Sequence, residues 1–171
     1  MQDQQAIDSF EELQKRLNAI AIIHEKLYRS TDLTNISMKE YIKDLVDTLI
    51  YSLSSNPIGI DLDLEAHDIQ LPAEIIIPLG LIVTEIVTNS LKYAFHGKQN
   101  NKILIHYREE SNNVYLIIGD NGNPPVDKKM ITQSQSLGMR LVYILTEQIN
   151  GTLDLDISDG TMFSICFPRS Y

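Results

Sequence analysis

The sequence has no tryptophan, a single cysteine and no long uninterrupted apolar segment among its 171 residues. The lone Cys166 can form neither an internal disulfide nor a cysteine-rich metal site. No apolar run approaches the roughly 18 residues of a membrane span, and the start Met-Gln-Asp-Gln-Gln lacks the basic and apolar parts of a signal peptide. We therefore expect a cytoplasmic chain, or part of a larger protein, that makes no membrane contact of its own.

Basic residues are also scarce, with 14 Lys and Arg against 23 Asp and Glu and a net charge of −9. This balance argues against a nucleic-acid partner, because such surfaces neutralise phosphates with cations. The phosphate loop, the dinucleotide-binding glycine motif and the Gly-x-Ser-x-Gly elbow are all absent from the sequence. His24-Glu25 begins like a zinc-protease helix, but Tyr28 replaces the second ligand, so that metal site is excluded.

The first part of the chain has helical periodicity. Apolar residues from Phe10 follow a heptad spacing in which His24 occupies an expected core position. This histidine is either a core histidine with a satisfied ring or a phosphoacceptor. Ser37-x-x-Glu40 forms a capping box, which predicts a second helix from Met38. We expect residues 1–56 to form a helical unit.

After Pro57 the pattern changes to alternation, which predicts a second domain over residues 57–171. Predicted strands cover residues 58–64, 69–71, 102–108, 114–120, 152–157 and 161–167. A long helix reaches Ala94 and accommodates Pro78 only in its first turn, and another covers residues 137–150 with Gly151 as a left-handed cap. The fold predicted is α+β, a two-layer α/β sandwich with a mixed, mostly antiparallel sheet and helices on one face. The 14 residues 123–136 have no usable periodicity and are expected to form a lid.

One helix places chemically useful side chains together, because Glu85, Asn89 and Lys92 follow an i, i+4, i+7 spacing. Oxygen ligands and a cation on one face suit Mg²⁺ and phosphates, although a solvated polar stripe would show the same pattern. Asp120 and Gly122 then follow a strand, either as a ligand site or as a common Asx-type turn. Gly138 opens the next helix, where backbone N–H groups favour an anion. The three features together favour a nucleotide site.

These motifs resemble those of a known family. Glu85-x-x-x-Asn89-x-x-Lys92-Tyr93, Asp120-x-Gly122, Gly138-x-x-Leu141-Val142 and Gly160-Thr161-x-Phe163 resemble the N box, two glycine boxes and terminal Gly-Thr motif of the GHKL, or Bergerat, ATP-binding fold. The stretch Ile-His-Glu-Lys-Leu-Tyr-Arg-Ser at 23–30 is similar to one subfamily of sensor histidine kinases with a divergent dimerisation region. The resemblance covers roughly residues 10 to 168.

The resemblance implies a site for ATP and Mg²⁺. Asn89 would ligate the metal, Glu85 would hold a metal-bound water or act as a base, and Lys92 would meet phosphate oxygens. Asp120 would accept the adenine amino group, with Thr161 assisting through a water and Gly122 letting the base pack closely. The implied ATP-binding set is Asn89, Lys92, Tyr93, Asp120, Gly122, Gly138, Met139 and Thr161, with Glu85 and Lys92 as the catalytic pair.

The resemblance also implies a phosphorelay function, in which the γ-phosphate passes to a histidine and then to a response regulator receiver domain. None of His24, His67, His96 and His106 lies in the family's His-Arg-x-Lys-Asn-Asn context, so the acceptor helix is expected upstream of this chain. Residues 1–56 would be the second part of a dimerisation hairpin plus a connecting helix, and the full-length protein would be a homodimer. Autophosphorylation by this chain alone is then not expected.

The sequence departs from the family at Pro124, which replaces a second glycine and is followed by Pro125. These two prolines make the entry to the lid stiffer. Two alternatives stay open: an anti-sigma-like regulatory module, and a degenerate domain without nucleotide that serves dimerisation, for which the two prolines are the only support. The helical unit that precedes the domain favours the kinase.

Overall fold

The computed structural model describes residues 36–54, 59–96, 100–132 and 136–169, together with the single helical positions 10, 14 and 21. The predicted heptad helix as a whole, and His24 within it, lie outside the described residues. The description below therefore concerns the second predicted helix and the domain that follows it.

The helices are α1 (Met38–Leu53), α2 (Ala73–Asn89), α3 (Lys129–Thr132) and α4 (Leu137–Gln148), and α2 continues as a π-helical turn over Ser90–Ala94. The strands are β1 (Ile36–Ser37), β2 (Ile60–Ala66), β3 (Gln70–Leu71), β4 (Asn101–Glu110), β5 (Asn113–Asp120), β6 (Thr152–Asp156) and β7 (Thr161–Pro168). The predicted start of α1 at Met38 is confirmed, and the Ser37 hydroxyl accepts the Glu40 backbone N–H at 3.4 Å.

Five strands form one mixed sheet in the order β2-β4-β5-β7-β6. The β2–β4 pair is parallel and the other three pairs are antiparallel. One face of the sheet packs against α1, α2 and α4, where alternate strand residues such as Ile105, Leu116 and Ile165 are buried. The predicted two-layer α+β sandwich is confirmed.

Helix α2 forms the centre of the core, since most of its residues are buried between the sheet and its neighbouring helices. By length and composition alone, the segment Ala73–Ala94 is long and apolar enough to cross a membrane. It is not an uninterrupted apolar run. Over its most apolar 18 residues, 72% of this segment is buried inside the protein. Its apolar character is accounted for by burial in this core.

Two predicted details of the helices are wrong. Pro78 lies in the second turn of α2 rather than the first, because the helix begins at Ala73 after Pro72. The missing N–H leaves the Glu74 carbonyl without its helical partner, on an exposed turn that water can reach. At the end of α4 the left-handed residue is Asn150, with φ of 53°, and not Gly151.

The end of α4 is a Schellman motif. The Asn150 N–H bonds to the Glu147 carbonyl at 2.9 Å, and the Gly151 N–H bonds to the Thr146 carbonyl at 2.8 Å. Asparagine tolerates the left-handed region better than other non-glycine residues, which lets the chain turn one residue earlier than predicted.

Two further segments differ from expectation. Ile36 and Ser37 form strand β1, which pairs antiparallel with Leu71 and Gln70 of β3 and ties the start of α1 to the domain. The segment 123–136 contains the four-residue helix α3, although its sequence shows no periodicity. A helix of one turn is too short to produce a periodic signal.

The contact between α1 and α2 depends on a glycine. A Cβ placed on Gly80 would overlap the Tyr41 hydroxyl and approach its Cζ at 2.8 Å. The Tyr41 hydroxyl is buried without a hydrogen-bond partner among the described residues, and burial raises the pKa of Tyr41 well above its usual value. The two helices are therefore held close by ring packing rather than by a polar bond.

We expect Gly80→Ala to lower the free energy of unfolding by about 1–3 kcal/mol, the usual cost of overpacking. Tyr41→Phe should be neutral or slightly stabilising, because it removes an unpaired buried hydroxyl. When Tyr41→Phe is already present, Gly80→Ala should lower the free energy of unfolding by less, since the Tyr41 hydroxyl oxygen that overlaps the new Cβ is absent. Urea titrations of the four proteins measure this coupling, and equal costs in both backgrounds would contradict the packing contact.

Candidate functional site

The predicted site residues begin at the end of α2. Glu85 is buried at 3% exposure, and Asn89, one turn later, is half-buried at the last residue of the helix. The helix then changes from α to π at Ser90. Single π turns inside α-helices are frequent at functional sites, because they displace the side chains that follow. Here Lys92 is half-buried, whereas the Tyr93 side chain is 67% exposed.

The carboxylate of Asp120 lies at the end of β5 and is buried at 2% exposure. The Ser90 hydroxyl donates to its Oδ2 at 2.6 Å, and the Gly122 N–H donates to its Oδ1 at 2.8 Å. Each carboxylate oxygen is therefore fixed by a donor from a different segment.

Gly122 packs against the π turn. A Cβ placed on Gly122 would lie 2.5 Å from the Ala94 Cβ and 2.6 Å from the Ala94 carbonyl oxygen. The next residue, Asn123, donates its N–H to that carbonyl at 2.8 Å and its side-chain amide to the His96 carbonyl at 3.2 Å. Packing therefore explains this glycine, because only a residue without a side chain lets the loop after β5 approach the π turn this closely.

The start of β7 approaches the same carboxylate from the neighbouring strand. Thr161 is the direct antiparallel partner of Asp120 and is half-buried. Gly160, with φ of 93°, precedes it, and a Cβ there would overlap the Asp120 carbonyl oxygen. The Gly-Thr pair is therefore needed to place a hydroxyl residue beside Asp120.

The first turn of α4 closes another side of the site. Ser136 caps this helix by accepting the Met139 N–H at 3.4 Å, and both Gly138 and Met139 are buried. The Asn89 side-chain amide donates to the Met139 sulfur at 3.9 Å. This contact brings the end of α2 to the N-terminal turn of α4, the end of a helix whose dipole favours negative charge.

The structure thus brings Asn89, Asp120, Gly122, Met139 and Thr161 to adjoining elements around one end of the sheet. Tyr93 is different, because its side chain faces solvent. In the predicted lid, Val126 and Met130 are 97% and 64% exposed, and residues 133–135 lie outside the described part of the chain.

Ser90 was missed as a site residue by sequence reasoning. It occupies the apolar stripe that Ile82, Val83 and Ile86 define, so its spacing predicts a core position. The structure confirms that Ser90 is buried, at 4% exposure, but its hydroxyl holds the Asp120 carboxylate. A polar residue on an apolar helical stripe, directly after Asn89, was the available signal.

Comparison with protein-family models gives two matches. A model described as histidine kinase matches residues 1–53, and one described as histidine kinase-, DNA gyrase B-, and HSP90-like ATPase matches residues 74–171. Domains of the second of these families bind ATP, typically with Mg²⁺. Among curated proteins, no sequence match was found.

Solved structures show the same fold at low identity. The histidine kinase domain of a blue-light activated histidine kinase from Erythrobacter litoralis matches with a TM-score of 0.76 and 20% identity, over 92% of this chain and 74% of that one. The longer structure of that kinase matches at 0.76 and 22%, over 96% and 56%. A mycobacterial sensor histidine kinase, MprB, matches at 0.63 and 15%, over 80% and 98%.

This chain spans about half the length of the longer Erythrobacter structure. The second family model covers more than half of the present sequence, and it coincides with the domain that contains the buried Asp120 and the end of α2. The chain therefore belongs to the histidine kinase-, DNA gyrase B- and HSP90-like ATPase family, and is the ATP-binding catalytic region of a two-component sensor histidine kinase.

Proposed function

We propose that this chain binds Mg-ATP where α2, the end of β5 and the start of α4 meet, and that its γ-phosphoryl group passes to a histidine. The observation that supports this most directly is the buried Asp120 carboxylate with a donor on each oxygen. Burying a polar group of this kind is costly unless its oxygens are hydrogen-bonded. A ligand that donates hydrogen to it would lower that cost further.

Adenine suits this carboxylate better than guanine does. The exocyclic amino group of adenine donates a hydrogen bond, whereas guanine presents a carbonyl oxygen at the same position and would be repelled. Thr161, directly opposite Asp120, offers a hydroxyl for a bridging water. We therefore assign the choice of adenine over guanine to Asp120, with Thr161 assisting.

The residues on α2 suit magnesium and phosphates. Glu85 and Asn89 offer carboxylate and amide oxygens one turn apart, which are the donors Mg²⁺ prefers. Asn89 would ligate the metal, Glu85 would orient a metal-bound water or act as a base, and Lys92 would pair with phosphate oxygens. The metal would offset phosphate charge in a protein of net charge −9.

The start of α4 and the preceding loop would cover the phosphates. Gly138 and Met139 lie in the first turn of α4, where backbone N–H groups have no helical partner. Residues 123–136 would form the lid, with Pro124 and Pro125 stiffening its entry. Phosphoryl transfer then requires mostly positioning and charge neutralisation from the protein.

We assign residues 1–56 to the second part of a dimerisation hairpin with its connecting helix, and residues 57–171 to the catalytic domain. The match of residues 1–53 to a histidine kinase family model favours this over an anti-sigma-like module. The phosphoacceptor histidine would lie upstream, the full-length protein would be a cytoplasmic homodimer, and a response regulator receiver domain would accept the phosphoryl group.

Asp120→Asn should weaken ATP binding about 10- to 150-fold with or without Mg²⁺, since a charged hydrogen bond contributes about 1.5–3 kcal/mol. Asn89→Ala should remove the Mg²⁺-dependent part of the affinity and leave binding in EDTA unchanged. Isothermal titration calorimetry of ATP, with and without Mg²⁺, measures both effects.

Asp61→Asn is the matched control, because Asp61 is an exposed carboxylate on the edge strand β2. Its affinity for ATP should equal that of the unchanged protein. Full affinity for ATP in both Asp120→Asn and Asn89→Ala would refute this site.

The acceptor assignment is tested with γ-labelled ATP. We expect this chain alone to take up no acid-labile label, and to transfer label to a separate protein that contains the upstream helix. If the chain does become labelled, His24→Gln should be compared with it. Loss of label in that variant would place the acceptor at His24 and overturn the upstream assignment.

A further inference from the structure

The sheet has a second face, on the side away from the helices, and its centre is largely apolar. The strand register places His106, Gly119 and Ser164 on this outer face together with five apolar residues, Leu104, Ile117, Tyr115, Met162 and Cys166. We call these five residues the apolar strip. Ile117 is 43% exposed and Tyr115 is 36% exposed, so the strip is partly open to solvent.

A shallow groove of about 660 Å³ runs along this face. Its lining includes Tyr115, Ile117 and Cys166 from the strip, and His106, Glu65 and Asp154 from the strands on either side. Contiguous exposed apolar surface with a polar border is typical of an interaction site. Isolated exposed apolar residues would need no such explanation.

Acidic residues border the apolar strip along both edges of the sheet. On the edge strand β2, Asp61, Asp63 and Glu65 alternate onto the outer face. On the opposite edge strand β6, Asp154 and Asp156 do the same. The outer face therefore has an apolar centre between two rows of carboxylates.

Two polar contacts involve these rows. His106 Nε2 lies 3.3 Å from Asp63 Oδ1, with both side chains half-buried, and Lys128 Nζ lies 3.4 Å from Asp154 Oδ1, with both side chains exposed. An exposed pair such as Lys128–Asp154 contributes little and exchanges easily, so this carboxylate is available to a partner. Arg108 lies over the Tyr115 ring, 5.4 Å from its centre, at the end of the strip.

The dimensions of this face match a helix. Four strand spacings separate β2 from β6, or about 19 Å. An α-helix with its side chains is about 10–12 Å wide. A helix lying along the strip would leave both acidic rows uncovered, within reach of long basic side chains that extend sideways from it.

We propose that the outer face binds an amphipathic helix of a partner protein, with an apolar ridge on the strip and Lys or Arg along both flanks. The flanking cations would pair with the β2 and β6 carboxylates, and the −9 charge of the chain would accelerate the encounter. This face lies on the opposite side of the sheet from α2 and α4, so binding needs no nucleotide.

The test uses a fluorescent helical peptide of about 18 residues, equivalent to about 27 Å. It contains only Leu and Lys, with the leucines on one face, and a companion peptide has Glu in place of Lys. Fluorescence anisotropy with the full chain should show binding of the Lys peptide, weaker at high salt, and no binding of the Glu peptide. Absence of binding by the Lys peptide would overturn the proposal.

Two matched variants locate the binding. Ile117→Thr removes apolar surface from the strip while keeping a β-branched residue, and should weaken the Lys peptide about tenfold. Ile144→Thr makes the same change at an isoleucine of α4 that is 56% exposed, and should have no effect. Equal loss at both positions, or no loss at Ile117, would overturn the proposal.

A double variant tests the acidic rows without touching the strip. Glu65→Gln with Asp154→Asn removes one carboxylate from each edge, and should weaken the Lys peptide and reduce its salt dependence. Circular dichroism confirms that each variant is folded. Unchanged affinity and salt dependence in the double variant would show that charge complementarity plays no part, and would refute the proposed occupant.

Discussion

The burial of α2 is the constraint on which the rest of the structure depends. Its apolar residues pack on the sheet, on α1 and on α4, so its position is fixed from several sides. The helix ends at Asn89 and continues into the π turn beside β5, where Ser90 meets Asp120. The same helix therefore supplies the core and delivers Glu85 and Asn89 to the site. A shift of α2 would disturb the stability of the domain and the geometry of the candidate site together.

Hydrophobic periodicity predicted the elements well because most strands and helices here have one buried face. The strands β4 and β5 were predicted to within two residues, and their connection uses Ser111 and Asn112 with φ of 51° and 65°. Positive φ at both central residues matches the twist of a hairpin. Sequence patterns did not predict the pairing of β1 with β3, because that pairing depends on tertiary contacts between distant parts of the chain.

The sequence predicts candidate site residues but not the contacts between them. The motifs identify Asp120 and Gly122, yet a pattern in one chain segment holds no information on which hydroxyl meets which carboxylate. The Ser90–Asp120 bond joins residues 30 apart, and the Gly122–Ala94 contact is equally non-local. Pro78 and Asn150 show the same limit on a smaller scale, because α2 begins five residues before Pro78 and a Schellman motif places the left-handed residue one position before Gly151.

The contact of Gly122 and Asn123 with Ala94 and His96 has a consequence for the way a ligand can be held. These contacts fasten the first residues after β5 to the end of α2. If residues 123–136 form the lid, as proposed, these contacts hold its entry beside the end of α2, at the strand end that carries Asp120. The base and the phosphates of a nucleotide would then meet separate parts of the chain, the end of β5 and the start of α4.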